Sequence, residues 1–144
     1  MTKQLYWEDV KEGMEIPSQT KIATTLQLAR YAGASGDYSR IHYDQDHARS
    51  RGFPTVILHG HLKWAFLGQL LSDWIGLDGR IKKMRCNYRR IDIPGDALAV
   101  KGKVTRKYVE DGAHCVDCEM WVENGKGETT TPGSATVILP SRTM

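Results

Sequence analysis

Apolar side chains recur along the chain with two periods. From residue 60 to 75, Leu62, Trp64, Phe66, Leu67, Leu70, Leu71, Trp74 and Ile75 leave little of a helix circumference polar. That pattern predicts a buried central helix over 60–75, ended by Gly76 and Gly79. Ala65, Gly68 and Ser72 form a strip of small side chains at i, i+3, i+7 spacing, on which another backbone could press closely. Past residue 80 the period falls to two. Met84, Cys86 and Tyr88 alternate with Arg85, Asn87 and Arg89, and Leu98, Val100, Gly102 and Val104 with Lys101, Lys103 and Thr105. Pro94-Gly95-Asp96 reads as a turn, and Asp111-Gly112 and Asn124-Gly125 as hairpin connections. Ala135, Val137 and Leu139 close the last strand. The C-terminal half thus predicts an antiparallel meander of about four strands with one apolar face. The sheet and the helix together predict an α+β domain in which the sheet curls around the helix.

The first 59 residues are punctuated more finely. Residues 1–23 hold a short apolar start (Leu5, Tyr6, Trp7), a Gly13 turn and an extended end from Lys21 to Thr24. Thr24 or Thr25 can cap a helix of two or three turns carrying Leu26, Leu28, Ala29 and Tyr31 and stopping between Gly33 and Gly36. A short helix is predicted from Asp44 to Arg51, stopped by Gly52. Phe53 to Leu58 is extended, because Pro54 pushes the residue before it away from helix. No repeat or linker interrupts the chain, so residues 1–144 read as one domain.

Composition narrows the function. Hydrophobic residues make up 40% and charged residues 26%, as in globular rather than disordered chains. A net charge of +3 is too weak to predict nucleic-acid binding. No window is apolar enough for a membrane span, and the first residues have no signal-peptide core, so a cytoplasmic protein is expected. The three cysteines form no disulfide framework. Cys115 and Cys118 lie at i and i+3 on a predicted strand, where the two sulfurs point to opposite faces, so no metal or redox pair is expected of them.

The chemistry concentrates in Tyr31-Ala-Gly-Ala-Ser-Gly-Asp-Tyr-Ser-Arg-Ile-His42, a segment poor in helix signal, and in His59-Gly60. Asp37 and His42 stand five residues apart. A carboxylate beside an imidazole can move a proton at neutral pH. Singly, Asp37 is a common turn residue and His42 a common core or surface histidine. The central helix would present unpaired N–H groups and a partial positive charge at Gly60, where developing negative charge could sit and a glycine would let a ligand approach. Lys82, Lys83, Arg85, Arg89 and Arg90 form the densest basic run, suited to phosphate or simply a solvated strand face.

Ser35-Gly36-Asp37 followed by Ile41-His42, then His59-Gly60, then Pro94-Gly95-Asp96 resembles the MaoC-like (R)-specific enoyl-CoA hydratase family over about residues 5–139. The family motif has Asn-Pro where this chain has Ser39-Arg40, and an apolar residue is commoner at His61; substrate preference is where such changes would show. The resemblance implies a hotdog fold, an antiparallel sheet wrapped around a long central helix, and no cofactor or metal. It implies a hydro-lyase interconverting trans-2-enoyl-CoA and (R)-3-hydroxyacyl-CoA. Asp37 and His42 would hold and deprotonate a water, and the Gly60 N–H would stabilise charge on the thioester oxygen. Ser35, Tyr38 and His59 are expected to line the substrate site, with packing or loop-orienting roles as the alternatives. The expected partners are an acyl-CoA thioester and a second hotdog, in a homodimer, a higher homo-oligomer or a heteromer with a related chain. Two other readings stand beside it: the catalytic subunit of a heteromeric dehydratase, and a hotdog acyl-CoA thioesterase. The thioesterase is disfavoured because the predicted helix has no carboxylate before Asp73.

Overall fold

Capping residues set the helices. Thr24 accepts the Gln27 N–H through its side chain and starts α1 (Thr25–Ser35). Gly36, at φ 76°, ends it in the left-handed region that glycine enters without strain. The helix therefore ends at Ser35, within the Gly33–Gly36 span expected for its stop. Asp44 caps α2 (Gln45–Ser50) by accepting the His47 N–H. α3 spans Gly60–Ile75, as the periodicity predicts. The computed structural model describes residues 3–143.

Five strands, β1 (Glu15–Ile22), β2 (Arg80–Cys86), β3 (Ala97–Glu110), β4 (Ala113–Glu123) and β5 (Thr129–Ile138), form one sheet. The order is β1-β3-β4-β5-β2 and every pair is antiparallel. Only β3-β4-β5 is a meander. β2 crosses over to pair with β5 instead of its neighbour in sequence, and it ends at Cys86, before Tyr88. β1 is a fifth strand, of which only the last residues were expected to be extended. The β3–β4 turn is the two-residue type its sequence signals, with Asp111 at φ 50° and Gly112 at φ 76°. The β4–β5 connection is longer than an Asn-Gly turn. It covers residues 124–128, with Asn124 Oδ1 accepting the Lys126 and Glu128 N–H groups and the positive φ on Gly127.

The sheet wraps α3. Leu62, Phe66, Leu67, Leu70, Leu71 and Ile75 meet Leu98, Val100 and Val104 of β3 and Val116, Cys118, Met120 and Val122 of β4 in one core. Each fully buried leucine contributes roughly 1.5–3 kcal/mol of transfer free energy. Burial of α3 is not uniform, contrary to its apolar periodicity. Trp64, Ala65 and Ser72 are exposed, while Lys63 is only 2% exposed. Cys118 lies in the core, whereas Cys115 is buried outside that cluster; the short 3-10 turn Trp7–Asp9 packs against the core through Trp7, whose indole N–H donates to the Cys115 carbonyl. Among the described residues no helix is long and apolar enough to cross a membrane.

Candidate active site

The loop after α1 folds on its own side chains. The Ser35 hydroxyl donates to the Tyr31 carbonyl at 2.7 Å and accepts the Asp37 N–H at 3.1 Å. Asp37 Oδ1 accepts the Ser39 N–H at 3.2 Å, an Asx-type turn. A single 3-10 turn, Arg40–His42, then brings His42 back beneath Asp37. Ser39 forms the entry to this turn. Arg40 pairs with Asp44 at 2.7 Å, which directs its guanidinium along the loop toward α2.

Asp37 Oδ2 lies 3.7 Å from His42 Nε2. This is beyond direct hydrogen-bond range but lets one water sit about 2.8 Å from both atoms. His42 is 7% exposed and the Asp37 side chain 41%, so the pair opens to solvent from the carboxylate side. His42 Nδ1 is 2.8 Å from the Ile57 carbonyl, which can only accept. In the neutral ring Nδ1 therefore carries the hydrogen, which leaves the Nε2 lone pair toward Asp37. This is the tautomer a general base requires at that position.

His59 completes the floor. It is fully buried, and its Nε2 donates to the Asp37 carbonyl at 3.2 Å. Its ring stacks on His42 with centroids 3.8 Å apart and 21° between planes, and Tyr31 packs edge-on at 4.9 Å. Burial, followed by the neighbouring His42, pushes the His59 pKa below its ordinary 6.5, so this imidazole stays neutral beside His42. Burial, with the Asp37 charge adding to it, raises the Tyr31 phenol. Donor atoms of Asp37, His42 and His59 lie within 4.8 Å of one another. The two imidazoles are stacked, however, so their in-plane lone pairs run in nearly parallel planes and do not converge on one ion.

Gly60 opens α3 next to His59. A Cβ there would lie 2.9 Å from Tyr88 Cε2 and 3.0 Å from Cδ2, so the missing side chain makes room for the Tyr88 ring rather than for open approach. His61 packs edge-on to the same ring at 6.3 Å. Desolvation, with the Cys86 thiol next to it, pushes the Tyr88 phenol up to about 12. The structure thus brings Asp37, His42, His59 and Gly60 together, with Ser35 shaping the loop and Tyr38 exposed at its rim. Sequence reasoning missed Tyr88 as a wall of the site. The packing demand of Gly60, which no spacing rule expresses, is what reveals it. The basic run is mostly engaged elsewhere: Lys82 pairs with Glu110 at 2.9 Å, Arg90 with Glu128 at 3.1 Å, and Arg85 donates to the Ser134 hydroxyl at 3.1 Å. Arg85 and Arg89 also line a cavity of about 590 Å³ with Asn87 and Trp121.

A sheet wrapped on one long helix, with a carboxylate–imidazole pair at the helix N-terminus, defines a hotdog-fold protein with acid/base groups at that end. Comparison with known proteins makes this specific. The family described as MaoC like domain matches residues 9–126, and the chain belongs to that family. An "(R)-specific enoyl-CoA hydratase" of Rhodospirillum rubrum is 29% identical over 143 residues, covering 95% of this chain and 93% of that protein. The unliganded R-hydratase PhaJ1 from Pseudomonas aeruginosa superposes with a TM-score of 0.87 at 22% identity, over 96% of this chain and 88% of that one. A chain of the ChsH1-ChsH2 complex from Mycobacterium tuberculosis superposes with a TM-score of 0.79 at 19% identity, over 90% and 98%. At these identities the two structures establish the hotdog fold.

Proposed function

We propose that the protein is a hydro-lyase interconverting trans-2-enoyl-CoA and (R)-3-hydroxyacyl-CoA. The observation that carries this reading is the Asp37–His42 pair, 3.7 Å apart, with His42 Nδ1 on the Ile57 carbonyl and Nε2 turned toward the carboxylate. A water held between them loses a proton to His42 Nε2 as its oxygen bonds to C3 of the enoyl thioester. The electron pair of the C2–C3 double bond moves toward the thioester oxygen. That charge faces the first N–H groups of α3 at Gly60 and the positive end of the helix dipole. The proton taken by His42 passes through Asp37 to C2, which completes the addition and returns both side chains to their starting states, and dehydration runs the same path backward. Tyr88 and His61 wall the Gly60 side, and Ser35, Tyr38 and His59 shape the side that receives the acyl-CoA.

The name of the Rhodospirillum rubrum relative supports the same reaction and stereochemistry. A hydrolytic reading has less support: the one carboxylate of α3, Asp73, lies at the far end and accepts a hydrogen bond from Gln19. The exposed Trp64–Ala65–Ser72 face of α3 leaves room for a second hotdog, a copy of this chain or a related one, in a cytoplasmic oligomer. One solved neighbour is a chain of a complex, ChsH1-ChsH2. Crotonyl-CoA and longer enoyl-CoAs, followed by the ultraviolet absorbance of the conjugated thioester, test the proposal. Loss of that absorbance without free thiol is expected; thiol release without hydration would contradict it.

A further inference from the structure

The first turn of α3 buries a charge. Lys63 Nζ donates to Asp92 Oδ2 at 3.1 Å and to the Arg90 carbonyl at 2.9 Å, and both side chains are nearly inaccessible. The Thr130 hydroxyl, itself fully buried, donates to the same Oδ2 at 2.6 Å. Asp92 Oδ1 is buried with no partner among the described residues. As a source of stability this is a poor arrangement. Apolar side chains of similar volume hold a core at least as well as a buried ion pair, and one carboxylate oxygen here is left unsatisfied.

The cluster does hold the corner that carries the site. Three consecutive residues are tied in different directions. The Ile57 carbonyl receives His42 Nδ1–H at 2.8 Å. The Leu58 N–H donates to the Asp92 carbonyl at 2.9 Å. The His59 carbonyl accepts the Lys63 N–H at 3.4 Å while its ring stacks on His42. One edge of the 57–59 segment therefore bonds to the proposed base and the other to Asp92. Asp92 lies in residues 87–96, outside any strand or helix. The Arg89 and Arg90 N–H groups tie the segment to the Thr130 carbonyl, and the Asp92 side chain adds ties to α3 through Lys63 and to β5 through the Thr130 hydroxyl.

We infer that Lys63, Asp92 and Thr130 are positioning residues that set the Leu58–Gly60 corner, and through it the His42 and His59 rings and the N-terminal N–H groups of α3. The effect on rate rests on the hydration reading above; the effect on geometry does not. A misplacement on the order of 1 Å near a reacting group costs about a hundredfold in rate.

The test uses the Lys63→Met/Asp92→Leu double variant, which removes both charges together and leaves neither buried alone. Imidazole ¹⁵N resonances report the geometry, and the chain has only 5 histidines to resolve. The double variant is expected to melt at or above the wild-type temperature. Its His42 and His59 resonances shift. Its kcat for enoyl-CoA hydration falls about 10- to 100-fold with KM changed less than about twofold. Thr130→Val, which deletes one donor to Asp92, moves the same resonances less far, and Thr130→Ser, which keeps that donor, restores the wild-type spectrum. Should the double variant fail to fold, the Thr130 pair decides alone. Unshifted His42 and His59 resonances in Thr130→Val and in any folded double variant overturn the positioning role. Absence of hydration by the wild type would overturn the functional reading instead, with the imidazole spectra still deciding the positioning.

Discussion

Gly60→Ala is the perturbation whose size the structure fixes most closely. An added Cβ would stand 2.9, 3.0 and 3.1 Å from three ring atoms of Tyr88, closer than ordinary Cβ contacts. Overpacking of that kind costs about 1–3 kcal/mol where the neighbour cannot move. Here the ring can move in part, since Tyr88 is 47% exposed. Replacing a helical glycine also returns about 0.5–1 kcal/mol. The net loss should therefore be on the order of 1 kcal/mol, about 2–4 °C in melting temperature for a chain of this size. In a Tyr88→Ala background the clash vanishes and the glycine term remains, so Gly60→Ala should there be neutral or slightly stabilising. Chemical denaturation of the four proteins of this cycle measures the coupling. A Gly60→Ala cost that is equal in both backgrounds would refute the account of Gly60 as the seat of the Tyr88 ring.

The remaining expectations are simpler. His59 has its pKa depressed by folding, so the unfolded chain binds more protons; the stability His59 contributes is complete above its ordinary 6.5 and is lost as pH falls below it. Denaturation midpoints should drop on acidification through that range, and His59→Gln should flatten the slope; an unchanged slope would contradict a buried neutral His59. Gly133→Ala should be more damaging than Gly60→Ala, because its Cβ would stand 2.7 Å from the Arg85 carbonyl across the β5–β2 pair, where backbone cannot swing aside. A loss of about 2 kcal/mol or more is expected by denaturant titration, with amide exchange speeding up first in β2.

The elements that depend on local signals were legible in the sequence, and those set by distant partners were not. α3 carries its own period and its own glycine stop, and α1 and α2 carry their caps, so their limits follow from the residues within them. β1 has one fully buried residue, Ile16, and a proline beside it, as suits an edge strand, so its alternation is too weak to read. The crossover of β2 to β5 depends on pairing between residues some fifty positions apart, and alternation along β2 looks the same beside either neighbour. Within the site, Asp37, His42 and Gly60 could be chosen because their types and spacing suggest chemistry, and His59 joined them through the resemblance to the family motif. Lys63 could not: a lysine between apolar positions of a helix reads as a solvated charge until Asp92, 29 residues away, is seen to meet it. Tyr88, placed on a strand by alternation, is found beyond the end of β2, over Gly60.

The central claim is that Asp37 and His42 together activate a water for addition to an enoyl thioester. The most direct measurement compares the hydration rate of crotonyl-CoA by the wild type and by Asp37→Asn. The substitution keeps the shape of the loop and an acceptor for the Ser39 N–H, and removes the carboxylate facing His42 Nε2. The account predicts a folded variant whose kcat is lower by at least about a hundredfold; a variant as fast as the wild type would contradict it.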